Sequence, residues 1–518
     1  MFSRSRRDLL ATAATLGTTA RALGVSGMAA MGGSAAAQPA RAEMTVELDR
    51  VIQPVNPMVL GNNIDWTYSA QGLYLEESDT LSAGYIELAD RLAPTALRYP
   101  GGTNSDFYHW KDGIGPQGSR RPNKTLEGKK ERIKLGTDDF LALCARWKAE
   151  PLITVNIATG TAEEAADWVR YTNRRLANLP PVKYWEIGNE PYLEAHFPEA
   201  RITPAEYATR ANRFIAAMKS VDPTIECGLV LRNDTLGGVA ATPFKGYIDT
   251  VLGAVTQPFE FAALHSSYFP VTFEKKESPQ DLYLATMAGT RVMQQDMEAT
   301  RAKLRHYFPR RAVRLAITEY NALYSLDILR WGLPSVFLSR TDRYIESMAG
   351  ALYVADALRV FSLTSDLLMA NFWSICGNWW YGAISHEGKP RPQFHVLEAY
   401  KDLARGMVVQ SGIRSAVMET ARSGFVPAMR DIPQLEGHAV RDGGVLRVAL
   451  INKHPQASLA LHLSVPAIDR ARATVREISA RDYFARDVSV RDRTASMVAG
   501  KLDLTLPKHS FAVVQLRA

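Results

Sequence analysis

The sequence predicts an α/β fold: a (β/α)8 TIM barrel followed by a C-terminal antiparallel β-sandwich. Three observations carry this expectation. Short apolar runs recur eight times between residues 58 and 374. Helix-start signatures fall between them. Beyond about residue 395 the texture changes to short alternating runs with no long helical pattern separating them.

The eight barrel strands are expected near Met58–Asn62, Thr95–Tyr99, Leu152–Asn156, Lys183–Gly188, Cys227–Leu231, Phe261–His265, Val313–Thr318 and Leu368–Ser374. Thr137 is read as the cap of a helix with Phe140, Leu141, Cys144 and Trp147 on one face. Thr161-Ala162-Glu163-Glu164 and Thr203-Pro204-Ala205-Glu206 have the form of capping boxes, the second with proline at the first helical position. It feeds Tyr207, Phe214, Ile215 and Met218 at helical spacing. A doubly wound sheet would need a phosphate loop. Gly113-Ile114-Gly115-Pro116-Gln117-Gly118 has the letters of one, but no strand precedes it and a proline interrupts the helix start, so it reads as a turn. The sandwich strands are expected at Leu446–Asn452, Leu459–Val465, Ala473–Ser479, Lys501–Leu506 and Ser510–Leu516. The barrel is placed at 57–395 and the sandwich at 396–518, completed by residues 45–56, of which Thr45–Val51 alternate.

Of the 518 residues, 46% are hydrophobic and 22% charged, the composition of an ordinary globular chain. The three cysteines, Cys144, Cys227 and Cys376, form neither a disulfide framework nor a zinc motif, and no cofactor is implied. The formal charge of +7 suggests nucleic acid until it is located. Residues 1–42 open with Ser5-Arg6-Arg7-Asp8-Leu9-Leu10, continue as an Ala/Gly/Thr-rich stretch, and offer cleavage after Ala37 or Ala42. They resemble a twin-arginine export signal, implying a periplasmic or secreted protein. They hold five arginines and one aspartate, so the remainder carries only +3. That is no case for nucleic acid. No later segment offers ~18 uninterrupted apolar residues, so no membrane insertion of the mature chain is expected.

In such a barrel, chemistry gathers at the C-terminal ends of strands. The fourth ends Tyr184-Trp185-Glu186-Ile187-Gly188-Asn189-Glu190-Pro191, and the seventh runs Leu315-Ala316-Ile317-Thr318-Glu319-Tyr320-Asn321. Glu190 and Glu319 therefore face one another across the barrel mouth. A carboxylate pair is what glycosidic cleavage needs: one to protonate the leaving oxygen, one to attack the sugar. Glu186 shares the parity of Glu190 but lies deeper, toward Arg98.

With these stretches in view, the chain resembles glycoside hydrolase clan A. It is most similar to family 51, whose best-known members are α-L-arabinofuranosidases. The resemblance rests on Leu97-Arg98-Tyr99-Pro100-Gly101-Gly102, on Tyr108 to Pro116 with Arg121-Pro122, on Val155 to Ala165, on Gly188-Asn189-Glu190 and on Thr318-Glu319-Tyr320-Asn321. Leu506-Pro507-Lys508-His509-Ser510 is similar to that family's closing strand. The resemblance implies a retaining hydrolase, exo-acting on plant or bacterial polysaccharide or oligosaccharide, and a homo-oligomer. It implies Glu190 as acid/base, Glu319 as nucleophile, Asn189 on the sugar 2-hydroxyl, Arg98 holding the nucleophile ionised, and His265 with Tyr268 beside it. Asp65 stands where the family has a glutamate, and Thr103-Asn104 where it has asparagine directly after Pro-Gly-Gly, so the sugar specificity is open.

The aromatic residues Trp373, Trp379, Trp380, Tyr381, Trp66, Tyr68, Tyr108 and Trp110 form a candidate saccharide platform. The run Arg120, Arg121, Lys124, Lys129, Lys130, Arg132 and Lys134 leaves an anionic polysaccharide as a second reading. Alternatives are a β-glucuronidase or xylosidase-type enzyme, an endo-acting clan A glycosidase, a transglycosylase, and a non-catalytic carbohydrate-binding protein.

Overall fold

The computed structural model describes residues 40–75, 77–175, 178–193, 201–234, 244–265, 267–272, 277–324, 344–377 and 381–517. The expected export signal and the Trp379-Trp380 pair lie outside them.

Among the described residues, eight parallel strands close into a barrel: Gly61–Asn63, Ala96–Tyr99, Glu150–Val155, Tyr184–Ile187, Glu226–Val230, Phe261–Ala263, Arg314–Ala322 and Leu367–Phe372. The eighth returns to the first through Asn371 opposite Gly61. A short extension, Ser267–Phe269, adds to the seventh. The sixth, seventh and eighth expectations hold at their cores, and so do the second to fifth. The first strand is corrected: Pro57–Leu60 is a 3-10 turn, and pairing begins only at Gly61. The Asn56 side chain accepts from Met58 N and Pro57 sits at the turn's start, which is why the run does not begin extended.

Helices alternate with these strands. Thr161 Oγ accepts from Glu164 N at 3.1 Å and Thr203 Oγ from Glu206 N at 3.2 Å, as the capping signatures predict. Thr137 is instead the first helical residue; Gly136 occupies the cap and donates its N–H to Asp139 Oδ2 at 2.9 Å. The Gly113–Gly118 segment is a pair of 3-10 turns with a bend between them.

The second domain is a closed nine-stranded sheet rather than a purely antiparallel sandwich. Its order is Ala40–Pro54, Met407–Ser415, Leu435–Asp442, Val445–Asn452, Ser510–Arg517, Arg470–Ser479, Ser489–Val498, Lys501–Leu506, Leu459–Ser464. Closure comes from the N-terminal strand. It pairs antiparallel with Met407–Ser415 and parallel with Leu459–Ser464, turning Ala42, Met44, Val46 and Leu48 inward. That strand starts at Ala40, earlier than the alternation at Thr45 suggests. The boundary at 395 also moves, because it falls inside the helix Pro392–Tyr400, which buries Phe394, Val396, Leu397 and Tyr400. The first strand of the second domain starts at Met407.

A buried ion cluster joins the two domains. Asp356, on the helix Met348–Ser362, receives Lys453 Nζ at 2.7 Å from the second domain and Arg359 Nε at 2.6 Å. Burial would push the Asp356 carboxyl up, but Arg359 and Lys453 overcome it and hold it far below its ordinary range. Its stabilising contribution is therefore full above the ordinary aspartate range and is lost as the pH falls through and below it. Replacing Asp356 with Asn strands two buried cations and should cost about 3–5 kcal/mol in chemical unfolding at neutral pH. The deficit should shrink in acid; a variant as stable as the parent would contradict this account of the domain junction.

Candidate active site

Arg98, in the second barrel strand, is fully buried and points into the barrel mouth. Its Nε donates to Glu186 Oε2 at 2.6 Å, and its Nη1 to Glu319 Oε1 at 2.5 Å and to Asn63 Oδ1 at 3.2 Å. Its Nη2 donates to Asn189 Oδ1 at 2.8 Å. One guanidinium thus ties together side chains from the first, second, fourth and seventh strands. Arginine suits this task because its planar fork addresses several acceptors at fixed angles.

His265 is the second cation. Its Nδ1 lies 3.1 Å from Glu190 Oε1 and 4.0 Å from Glu319 Oε2, and its Nε2 lies 3.7 Å from Glu186 Oε1 and 2.8 Å from Thr318 Oγ. Burial alone would strip its proton. Glu319, Glu186 and Glu190 reverse this and push the imidazole up to about 10. It is an imidazolium at neutral pH. Burial would likewise raise Glu186, but Arg98, His265 and Thr154 hold it down at about 2. Thr154 Oγ donates to it at 2.6 Å.

Glu319 behaves differently. Burial raises its carboxyl most; His265 and Arg98 pull it back, Glu190 pushes it up, and the net direction is upward. This corrects the expectation that Arg98 simply keeps Glu319 ionised. Arg98 moderates the cost of burial at Glu319, and its most strongly ionised partner is Glu186. Tyr268 completes the setting by donating its hydroxyl to Glu319 Oε2 at 3.0 Å.

The turn after the second strand is shaped by this site. A Cβ on Gly102 would come 2.9 Å from Glu319 Oε1 and 3.3 Å from the Trp373 ring, and Gly101 has φ +113° with its missing Cβ against Asp65. Backbone approach this close requires glycine. Asp65 is buried; its Oδ1 accepts from Thr67 N and Oγ, and its Oδ2 from Asn104 Nδ2 at 3.1 Å. Asn104 Oδ1 in turn accepts from Leu126 N. The two residues therefore brace the rim of the pocket through each other. Glu190 follows Gly188, whose φ is +85° and whose Cβ position is filled by Ile157, and itself has φ +38°, an unfavourable conformation for a glutamate.

Thus Arg98, Asn189, Glu190, His265, Tyr268 and Glu319 meet in one site. Asp65, Asn104 and Trp373 line its second-strand side. Sequence reasoning missed Asn63, Thr154, Thr318 and Tyr192. Asn63 carried a signal, since it ends the first strand just where Arg98 ends the second. Tyr192 Oη donates to Glu190 Oε1 at 3.2 Å. The aromatic platform is smaller than expected. Trp66, Tyr108 and Trp110 are buried, and Trp110 stacks on Trp168 at 6.0 Å. Tyr268 and Tyr381, in edge contact at 6.1 Å, remain with Trp373. The thiols of Cys144, Cys227 and Cys376 are buried and pushed up by that burial, which makes them poor nucleophiles.

With this geometry in place, comparison with known proteins is informative. Residues 88–236 match the family model for the alpha-L-arabinofuranosidase 1 domain. The alpha-L-arabinofuranosidase C of Emericella nidulans is 32% identical over 210 residues, covering 36% of this chain and 41% of that protein. The match thus spans about two fifths of the length of such relatives. The exo-alpha-(1->6)-L-arabinofuranosidase of Bifidobacterium longum is 23% identical and aligns over 92% of this chain and 97% of its own. The chain is similar to alpha-L-arabinofuranosidases, among them solved structures of family 51. The arabinofuranosidase of Thermotoga maritima, solved with arabinose, shares the fold at TM-score 0.77 and 23% identity, covering 92% of this chain and all of that one. A family 44 xyloglucanase of Paenibacillus polymyxa shares it at 0.61 and 13%. The overall fold is therefore common to these chains.

One property of this pocket can be measured directly. Burial raises the Asp65 carboxyl to about 6, against the hydrogen bonds from Thr67 and Asn104. A carboxyl raised on folding favours the protein at low pH, and that contribution is lost as the pH climbs through about 6. Replacing Asp65 with Asn should therefore flatten the pH dependence of stability between pH 4 and 6, by on the order of 3 kcal/mol. An unchanged slope in chemical unfolding would refute the raised value.

Proposed function

We propose that this chain is a retaining glycoside hydrolase of exo-acting α-L-arabinofuranosidase type. The observation that carries the reading is the shared contact of His265 Nδ1 with Glu190 at 3.1 Å and Glu319 at 4.0 Å. A shared atom holds the nearest oxygens of the two carboxyls within about 7 Å of each other, which admits the ~5–5.5 Å separation of double displacement. Carbohydrate is then the substrate.

Glu319 attacks the anomeric carbon while Glu190 gives its proton to the departing oxygen. A glycosyl ester on Glu319 results. Glu190, now a carboxylate, removes a proton from water, which releases the sugar with retained configuration. Asn189 is the residue for the 2-hydroxyl: its Oδ1 is held by Arg98 and, among the described residues, its Nδ2 has no partner. A donor left open beside the nucleophile suits a sugar hydroxyl, whose bond strengthens as charge develops. Tyr268 and Arg98 fix the two oxygens of Glu319 so that attack starts from an aligned carboxylate.

The anionic-polymer reading loses part of its support, although Lys129 and Lys130 stay exposed. Arg120 pairs with Asp139 at 2.7 Å, Arg121 with Asp112 at 2.5 Å and Arg132 with Asp79, while Lys134 Nζ donates to Leu75 and Ser78 carbonyls. These charges are spent holding the loop.

A panel of aryl glycosides tests the proposal: α-L-arabinofuranoside, β-D-xyloside, β-D-glucuronide and β-D-galactofuranoside. Arabinofuranoside should be cleaved best. Glu319→Gln should lose at least ~10⁴-fold in kcat, on the scale of losing a nucleophile. Glu190→Ala should lose far more on poor leaving groups than on good ones, and azide should restore turnover of the latter. Wild-type rates in Glu319→Gln would sink the assignment.

We also propose export with removal of the leader after Ala37. Ala40–Ala42 pair with Leu459–Leu461, and Ala42 is buried. Cleavage after Ala42 would remove that pairing. The intact mass of the exported protein should correspond to a start at Gln38; a start at Glu43 would contradict this.

A further inference from the structure

Arg232, just past the fifth barrel strand, is 7% exposed. Among the described residues it makes no hydrogen bond or ion pair. Its guanidinium lies over the ring of Tyr192, 5.3 Å from the centroid. That ring is wedged edge-on against Tyr247 at 5.5 Å, and its hydroxyl donates to Glu190 Oε1 at 3.2 Å. A buried cation without a counter-ion is costly, so its place against this one ring asks for a purpose.

We propose that Arg232 is a positioning residue that acts on Glu190 through the face of Tyr192. The inference rests on Glu190 being the acid/base. A cation over an aromatic face draws on its electrons, which makes the phenol a stronger donor. A stronger donor favours the carboxylate form of Glu190, the form that must activate water in the second half of the reaction.

Other groups face the same carboxylate. The His265 imidazolium favours its ionised form as Arg232 does, whereas Glu319 and the buried Asp106 oppose it. Glu190, Asp296 and Asp234 also face Arg232 and favour its charged form against the cost of burial, so a direct field on Glu190 adds to the path through Tyr192. Arg232 is thus one of a balanced set, and its removal should shift the balance toward the acid form.

The test is the pH profile of kcat/KM on an aryl α-L-arabinofuranoside for Arg232→Met, Arg232→Lys, Tyr192→Phe and the double variant Arg232→Met with Tyr192→Phe. In Arg232→Met the alkaline limb should move up by about half a pH unit, the scale of losing one cation–π contact. Arg232→Lys should restore most of it, and in the Tyr192→Phe background the Arg232 effect should fall by at least half, leaving only the direct field of the charge on Glu190; an undiminished effect would overturn the relay. If Arg232→Met fails to fold, Arg232→Gln in the parent and Tyr192→Phe backgrounds decides: an upward shift that Tyr192→Phe diminishes supports the relay, and an unmoved limb overturns it. Reduced activity with the limb unmoved in Arg232→Met assigns Arg232 a packing role and overturns the proposal. Failure of the Glu190 assignment looks different: the parent's alkaline limb would survive in Glu190→Ala.

Discussion

Everything at the barrel mouth depends on one buried guanidinium. Arg98 has no exposure, and its nitrogens are divided among Glu186, Glu319, Asn189 and Asn63. A charge so placed is tolerable only if its partners are fixed, and they come from the first, fourth and seventh strands, with Asn189 just past the fourth. The ion network therefore sets strand register and active-site geometry together. Asn63 also donates to the carbonyls of Thr318 and Phe372, so the first, seventh and eighth strands are drawn into the same knot.

The second cation explains why two glutamates of similar chemistry can differ in role. His265 sits among three carboxylates and stays charged because of them. Glu186 takes the full benefit of both cations and acts as a permanent anion. Glu319 takes less, because burial and Glu190 work against it. The network contains enough negative charge to keep both cations, and it leaves Glu319 raised while Glu186 stays strongly ionised.

Much of this was legible in the sequence. The strand-ending carboxylates stood out because an apolar run stops at a charge in both cases, and the eight runs gave the barrel. The inward placement of Glu186 was legible, but its part as a strongly ionised partner of Arg98 and His265 was not. Other features were hidden for physical reasons. The strands Met407–Ser415, Leu435–Asp442 and Ser489–Val498 carry no regular two-residue alternation of burial, so no apolar period marks them. The first barrel strand is too short to leave a pattern. The aromatic residues Trp66, Tyr108 and Trp110 looked like a sugar platform but fill space under it, and only three-dimensional packing separates those uses. Asn63, Thr154 and Tyr192 are ordinary polar residues whose importance lies wholly in what they meet.

The central claim is that Glu319, held by Arg98 and Tyr268, is the atom donor in a covalent step. The most direct measurement is peptide mapping of the protein after exposure to a 2-fluoro arabinofuranosyl substrate with a good leaving group, which slows release of the ester. The account predicts one added glycosyl unit, carried on the peptide containing Glu319 and absent in Glu319→Gln. A label on another carboxylate, or steady turnover of an unmodified substrate to a product of inverted configuration, would contradict it.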